Sequence, residues 1–206
     1  ISVTGVQTCA LPIFKCSDYR VVLDIAPQFL RHGVSLIDDA LEALAQVAAN
    51  GSEQQRQEAV SCLVSAPRLC QSIVKPMIGL LSSEPDRQIR LHVVLVLVRV
   101  AEPNSREYLD SVTRVEVVKA VVKRLEDEAD EVRTCATSCL APGGQLAELI
   151  HEAELVLIEL LRSPRQEVVD WSARLVLAHR NRLKAATSCT LASKARPDRK
   201  STRLNS

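Results

Sequence analysis

Two cysteines one helical turn apart are the residues best suited to chemistry in this sequence. Cys135 and Cys139 lie in LEDEADEVRTCATSCL, residues 125–140, which is typical of a helix end, an acidic turn and the start of another helix. Thiolates at this spacing could bind a metal or form a redox pair. A tetrahedral zinc site needs four ligands, however, and the sequence places no His or acidic residue to complete it. Because the cysteines flank Ala136 and Leu140, we interpret them as small packing residues.

The acidic and histidine motifs are incomplete in the same way. Asp38, Asp39 and Glu42 in DDALE are similar to the magnesium-binding motif of prenyl-transfer enzymes, but no second motif accompanies them, and their spacing also suits a solvated helix face. His151 and Glu152 begin a zinc-protease pattern in which residue 155 is Leu instead of His. The sequence therefore predicts a protein that is not an enzyme, with no metal site and no cofactor.

The composition restricts the class of partner. The 206 residues carry a formal net charge of +1, so they offer no general electrostatic attraction for nucleic acid or an anionic membrane. The longest apolar run, 93–98, is far shorter than the roughly 20 residues of a membrane span. The seven cysteines form no CxxC pair, which favours reduced thiols and a cytoplasmic or nuclear location.

Both ends of the sequence resemble translated sequencing adapter. The segment 3–13, VTGVQTCALPI, looks like one strand of a common short-read adapter, and 198–206, DRKSTRLNS, looks like the opposite strand. Such segments are set aside before the fold is considered. We expect residues 1–13 and 198–206 to be disordered artefact, and residues 14–197 to be an internal piece of a longer protein.

An internal repeat organises the remaining chain. Four segments share an i, i+4, i+8 spacing that begins just after a polar turn and places three residues on one helix face. The four sets are Gln55, Ala59, Leu63; Ile89, Val93, Leu97; Val132, Ala136, Leu140; and Val169, Ala173, Leu177. In the first three sets an Arg follows the first residue. The sets begin 34, 43 and 37 residues apart, which predicts stacked helical repeats.

These repeats resemble armadillo and HEAT repeats. Residues 125–140 are close to the HEAT pattern of a leucine, an acidic turn, Val-Arg and an alanine, whereas LLRSPRQEVVDWSARLVLA, 160–178, is nearer the armadillo pattern. The resemblance covers about residues 34–178 and leaves the subtype open. It implies an all-α fold, a right-handed α-α superhelix of about four repeats. We expect this armadillo/HEAT-like solenoid to span 14–178, with a basic segment following at 179–197.

The resemblance does not extend to recognition of nuclear localisation signals. Armadillo import adaptors carry a Trp and an Asn one turn apart on each groove helix. The Trp places here hold Ser61, Leu95, Ser138 and Leu175, and the Asn places hold Ser65, Arg99, Pro142 and His179. Trp171 precedes Ala173 and is off this pattern.

The resemblance implies a function in protein binding. The helices that begin at the four sets would line a concave surface that binds an extended peptide or a partner helix, as in a non-catalytic scaffold. The residues expected to face outward there are Glu58, Ser61, His92, Arg99, Ser138, Ser172 and His179. This strip, acidic at one end and basic further along, could select a partner by charge order, although the same pattern suits an ordinary solvated face. A nucleic-acid-binding helical repeat and a fragment of a HEAT-like bilin lyase are the alternatives.

Overall fold

The computed structural model describes residues 18–32, 37–102 and 109–194, with side chains omitted at 31–32, 152 and 182–194. These residues form α-helices joined by short turns, and no strand occurs within the described ranges. The helices are α1 Tyr19–His32, α2 Ile37–Asn50, α3 Glu53–Ser65, α4 Val74–Ser83, α5 Arg87–Ala101, α6 Ser111–Lys123, α7 Asp130–Leu140, α8 Glu154–Leu160 and α9 Gln166–Lys194. Short 3-10 turns occupy Gln71–Ile73, Arg124–Glu126 and Ile150–Ala153.

The helices stack in two layers. The even-numbered helices α2, α4, α6 and α8 form what we call the A layer, in which each helix contacts the next. The odd-numbered helices α1, α3, α5 and α7 contact one another in the same way and, with α9, form the B layer. Contacts across the layers join α1 to α2, α2 to α3, α4 to α5, α5 to α6, α6 to α7 and α8 to α9. The result is one continuous core of Leu, Val, Ala and Ile side chains. The predicted all-α solenoid of helical repeats is confirmed.

The repeat pattern places the predicted side chains inside the first three units. All members of the second and third sets are buried, as are Ala59 and Leu63 of the first set. Gln55 is only half-buried. Its side chain accepts a hydrogen bond of 2.9 Å from the backbone N–H of Ser52, which completes a capping box at the start of α3. Each such helix therefore begins at a turn and buries one stripe against its neighbours.

The fourth set is wrong by one residue. The side chains buried in the described part of α9 are those of Val168, Ser172, Leu175 and Val176, whereas Leu177 is exposed. The preceding turn explains this phase. Ser163 accepts a hydrogen bond of 3.3 Å from the backbone N–H of Arg165, as the carboxylates of Glu84 and Asp127 accept from the N–H two residues later in the earlier turns. Ser163 lies five residues before Val168, and the earlier turn residues lie five before Ile89 and Val132, so the repeat itself is preserved.

A further B-layer helix precedes the predicted repeats. Helix α1 buries Val22, Ala26 and Leu30, which have the same i, i+4, i+8 spacing and lie 33 residues before the first set. It packs on α2 and α3. The stack of helices thus begins before residue 34, where the resemblance to known repeats begins.

Buried ion pairs join successive repeats at the turn edge. Arg56 Nε and Nη2 donate to Glu84 at 2.7 and 3.1 Å, and Arg90 Nε and Nη2 donate to Asp127 at 3.1 and 2.8 Å. The Glu84 and Asp127 side chains are only 1% and 3% exposed. The hydrogen bonds to these carboxylates raise the pKa of both arginines, so the guanidinium groups stay charged. The Arg that follows the first residue of the first and second sets is therefore a link between turns.

This chain of ion pairs ends at the fourth repeat. Ser163 occupies the place of the next carboxylate, so Arg133 turns back to its own turn and donates to Asp130 and to the carbonyl of Asp127. Arg165 of the last turn reaches in the opposite direction and donates to the Asp127 carbonyl at 2.8 Å. The last repeat is consequently held to the third by hydrogen bonds to backbone and without a buried ion pair at this position.

The predicted ends of the chain stay predictions. The adapter-like segments 1–13 and 198–206 lie outside the described residues, as does Cys16. The basic segment predicted at 179–197 continues helix α9 without a break to Lys194.

Candidate partner-binding face

The residues predicted to bind a partner all belong to the B layer. Glu58 and Ser138 are exposed on α3 and α7, and Ser61, His92 and His179 are half-buried on α3, α5 and α9. The His179 ring stacks on the His151 ring, with 5.7 Å between centroids and 16° between planes. The structure therefore brings five of the seven predicted residues to one layer with side chains at or near the surface.

Two of the predicted surface residues have structural roles instead. Ser172 is 0% exposed, because the phase of α9 turns it inward, and its Oγ has no hydrogen-bond partner among the described atoms. Arg99 donates to the carbonyls of Val64 and Ala66, the latter at 2.7 Å, at the end of α3. A guanidinium at this place satisfies carbonyls that the helix leaves unpaired. Ser172 is thus excluded from the surface, and the expected basic part of the strip is engaged within the fold.

A cleft lies between α7 and α9 of the B layer. Its volume is about 500 Å³, and it lies beside the predicted residue Ser138. Thr134, Thr137 and Ser138 of α7 form one wall, and Glu167, Val168 and Trp171 of α9 form the other. The small side chains of α7 leave the space open. The cleft combines hydroxyl groups, an apolar floor that includes Leu125, and one aromatic ring.

Trp171 is the most distinctive side chain of this cleft. It is the only tryptophan of the chain, and 38% of its surface is exposed. The Arg174 guanidinium lies 5.5 Å from the ring centroid, a distance suited to a cation–π contact that orients the ring. An exposed, oriented indole offers a large apolar area and one N–H donor, the combination found at the centres of binding surfaces.

The cleft carries two exposed carboxylates at its mouth. Asp130 begins α7 and Glu167 lies in the first turn of α9, where acidic groups are stabilised by the helix dipole. Arg133 also lines the cleft, but its guanidinium is directed to Asp130 and to the Asp127 and Glu128 carbonyls. Because Arg133 and Asp130 pair with each other, the charge left over at the mouth is the negative charge of Glu167.

The cysteine pair of α7 faces the core side of the helix. Cys139 is buried and Cys135 is half-buried beside it. The hydrogen bond between the two thiols, together with burial, raises the pKa of Cys139, while the same hydrogen bond lowers the pKa of Cys135. No group of three or more possible metal ligands occurs in the described part of the chain. Cys139 belongs to the hydrophobic core and Cys135 packs against it, as expected for small packing residues.

The other motifs fall at places that suit packing or solvent. Leu157 and Leu160 of α8 are buried in the core, whereas Ile158 and the following Leu161 are exposed. Asp38 is exposed on α2 and pairs with Arg68 at 2.8 Å. His151 is exposed, and its Nδ1 lies 3.0 Å from the Glu148 carbonyl. None of these residues joins the cleft between α7 and α9.

Several residues of the cleft were not predicted from the sequence. Trp171, Glu167 and Thr134 were not among the residues predicted to bind a partner. The available signal was a lone tryptophan that follows Asp170 directly and Glu167 by one helical turn. The corrected phase, which puts Val168 and Ser172 inside, brings Trp171 from the outer face to the edge of the buried stripe, where it lines the cleft.

Comparison with known proteins finds a likeness of fold. No protein-family model and no curated protein matches the chain. A designed armadillo repeat protein is similar over 82% of this chain and 79% of its own, with 18% identity and a TM-score of 0.47. A designed armadillo repeat protein in complex with the peptide (KR)4 is 19% identical over the same shares, with a TM-score of 0.46. A computationally designed armadillo repeat protein for modular peptide recognition is 19% identical over 76% and 72%, with a TM-score of 0.44.

Within the described ranges, no helix has the length and apolar character required to cross a membrane.

Proposed function

We propose that this protein is a non-catalytic scaffold that binds an extended peptide segment of a partner protein along its B layer. The observation that carries the proposal is the cleft between α7 and α9, where an exposed Trp171 faces a wall of hydroxyl side chains. An extended segment exposes its own backbone groups, and Thr134 and Ser138 can hydrogen-bond with them. Trp171 then contributes the buried apolar area that such a contact needs.

The charge of the cleft favours a segment with a basic residue. Asp130 and Glu167 lie at the mouth. Arg133 donates to Asp130, so Glu167 is the carboxylate that a partner can reach. A Lys or Arg of the partner placed beside Glu167 would gain a charge-assisted hydrogen bond. Glu58 on α3 extends the acidic character along the layer, whereas Arg99 is held by carbonyls. The proposed charge order is therefore acidic at both ends of the layer, in place of acidic then basic.

The proposed setting is the cytoplasm or the nucleus. Cys135 and Cys139 are free thiols in the structure, and reduced cysteines are usual in those compartments. The proposed partner is a protein or peptide, without a cofactor.

The test begins with an array of short peptides of varied charge, probed with the purified chain. The dissociation constants of the peptides that bind are then measured by fluorescence anisotropy for the wild type and for Trp171→Ala. We expect Trp171→Ala to weaken binding by about 2 kcal/mol, roughly thirtyfold, because central aromatic residues dominate such contacts.

Leu177→Ala is the matched control, since Leu177 is another exposed large side chain of α9 but does not line the cleft. It should leave the affinity within about twofold, as expected for residues outside an interface. Equal affinities of the wild type and Trp171→Ala for every bound peptide would contradict the proposal.

A further inference from the structure

The A layer contains a second cleft with a different chemistry. It has a volume of about 440 Å³ and lies between α4 and α6. Ile78 and Leu81 of α4 and Ala120 of α6 provide apolar walls. The cleft shares no lining residue with the cleft between α7 and α9, so the two belong to different surfaces. We call it the lysine cleft.

Its basic side chains are concentrated beyond what the composition suggests. Lys75, Lys119 and Lys123 are the three lysines whose side chains the structure describes, and all three line this cleft together with Arg124. Glu116 is the one acidic residue of the lining. The chain as a whole has a net charge of only +1. A nearly neutral protein thus places a compact positive group on one surface.

The three lysines of this cleft have no ion-pair partner within the described part of the chain, whereas Arg124 pairs with Asp127 at 3.6 Å. No ion pair of the described residues involves Lys75, Lys119 or Lys123, and all three are exposed. Lys119 and Lys123 are four residues apart on α6, where like charges repel each other. An anionic ligand would relieve this repulsion and place an apolar group against Ile78 and Ala120.

We infer that the lysine cleft binds an acidic peptide segment that carries a large apolar residue between its carboxylates. The basic rim complements the carboxylates, and the apolar walls accept the central side chain. The adjoining cleft, which shares Leu81, Ser82, Lys123 and Arg124, is also lined by the exposed residues Glu126, Glu128 and Glu159. A nucleic-acid backbone running along this surface would meet these carboxylates, whereas a short peptide ends before them. The positive group is also too local to suit a membrane surface.

The test uses fluorescence anisotropy at low salt with a fluorescein-labelled peptide in which Leu is flanked by Glu and Asp. A control peptide with Lys in place of Glu and Asp shows whether binding depends on the charge of the peptide. We expect the acidic peptide to bind, and the double variant Lys119→Glu/Lys123→Glu to weaken binding about tenfold. Lys119→Gln/Lys123→Gln should give a smaller loss, which separates charge from any effect of the reversals on folding. Circular dichroism checks the helix content of each protein.

Arg20→Glu/Arg180→Glu is the matched control, because it changes the net charge equally at exposed sites outside the cleft. It should leave the affinity within about twofold. Trp171→Ala should have no effect, so this result is independent of the peptide site on the B layer. An acidic peptide that does not bind, or binds all lysine variants equally, would overturn the inference. Tighter lysine-dependent binding of single-stranded RNA or phosphatidylserine vesicles would also overturn it.

Discussion

The side chain of Asp127 shows how single residues hold neighbouring repeats together. Its carboxylate accepts two hydrogen bonds from Arg90 and one of 3.0 Å from the backbone N–H of Ala129. The Arg124 guanidinium, 3.6 Å from the same carboxylate, is a second positive group beside it. Burial of two charges is unfavourable unless each has a partner, so removal of one charge leaves the other unpaired in the core. The pair therefore fixes the relation between the turn before α5 and the turn before α7.

Replacement of Asp127 with Ala should lower the free energy of unfolding by roughly 3 to 5 kcal/mol, because Arg90 remains buried and keeps only the exposed Glu128 as an anionic partner. Urea denaturation followed by circular dichroism measures this loss. Asp130→Ala is the control, since Asp130 also pairs with an arginine but is exposed. That change should alter the stability by less than about 1 kcal/mol. A loss at Asp127 no larger than the loss at Asp130 would argue against a structural role for the buried pair.

The ionisation of Asp127 predicts how stability depends on pH. Burial raises the pKa of this carboxyl, but the hydrogen bonds from Arg90 and Ala129 and the nearby positive charges outweigh burial and lower it below 3.8. A carboxyl with a lowered pKa in the folded state stabilises the fold above its unfolded pKa and loses that effect as the pH falls through the folded pKa.

The stability difference between wild type and Asp127→Asn should therefore be constant near neutral pH and shrink below about pH 4. Denaturation curves across this range provide the measurement. A difference that stays constant down to the acid transition would show that this network does not lower the pKa of the carboxyl.

At the scale of the elements, the sequence was sufficient for the phase of α3, α5 and α7 and insufficient for the phase of α9. The polar turns determine the phase of the first three helices, including α5, whose run 93–98 is continuously apolar. In α9, Val168 and Val169 are adjacent and the run 175–178 is also apolar, so two phases satisfy the pattern equally. The hydrogen bond at Ser163 in the preceding turn distinguishes the two phases. Helix α1 has the same stripe, but Leu23 stands where the first three sets have an Arg after the first residue.

The corrected phase of α9 makes Ser172 a test of the fold. A buried hydroxyl without a hydrogen-bond partner destabilises a protein, and Ala has the higher helix propensity. We expect Ser172→Ala to raise the free energy of unfolding by about 1 kcal/mol. Ser138→Ala, on the exposed face of α7, should change it by less than about 0.5 kcal/mol. Thermal denaturation compares the two, and a destabilising Ser172→Ala would indicate that the hydroxyl has a partner.

At the scale of the whole molecule, the two layers present unlike surfaces. The B layer carries an acidic cleft with the only tryptophan, and the A layer carries the lysine cleft. Periodicity in the sequence was enough to predict that repeats stack, because each unit buries an apolar stripe. It was not enough to predict these clefts. Their lining residues are distant in sequence and come together only when neighbouring repeats pack, as Lys75 and Lys119 do across α4 and α6.

The most direct test of the account is the fluorescence of Trp171 during a peptide titration. Because the chain has one tryptophan, its emission reports on the cleft between α7 and α9 alone. The account predicts that a saturating peptide shifts the emission to shorter wavelength and protects the indole from acrylamide quenching, with a midpoint equal to the dissociation constant. Peptide binding that leaves the emission and the quenching of Trp171 unchanged would contradict it.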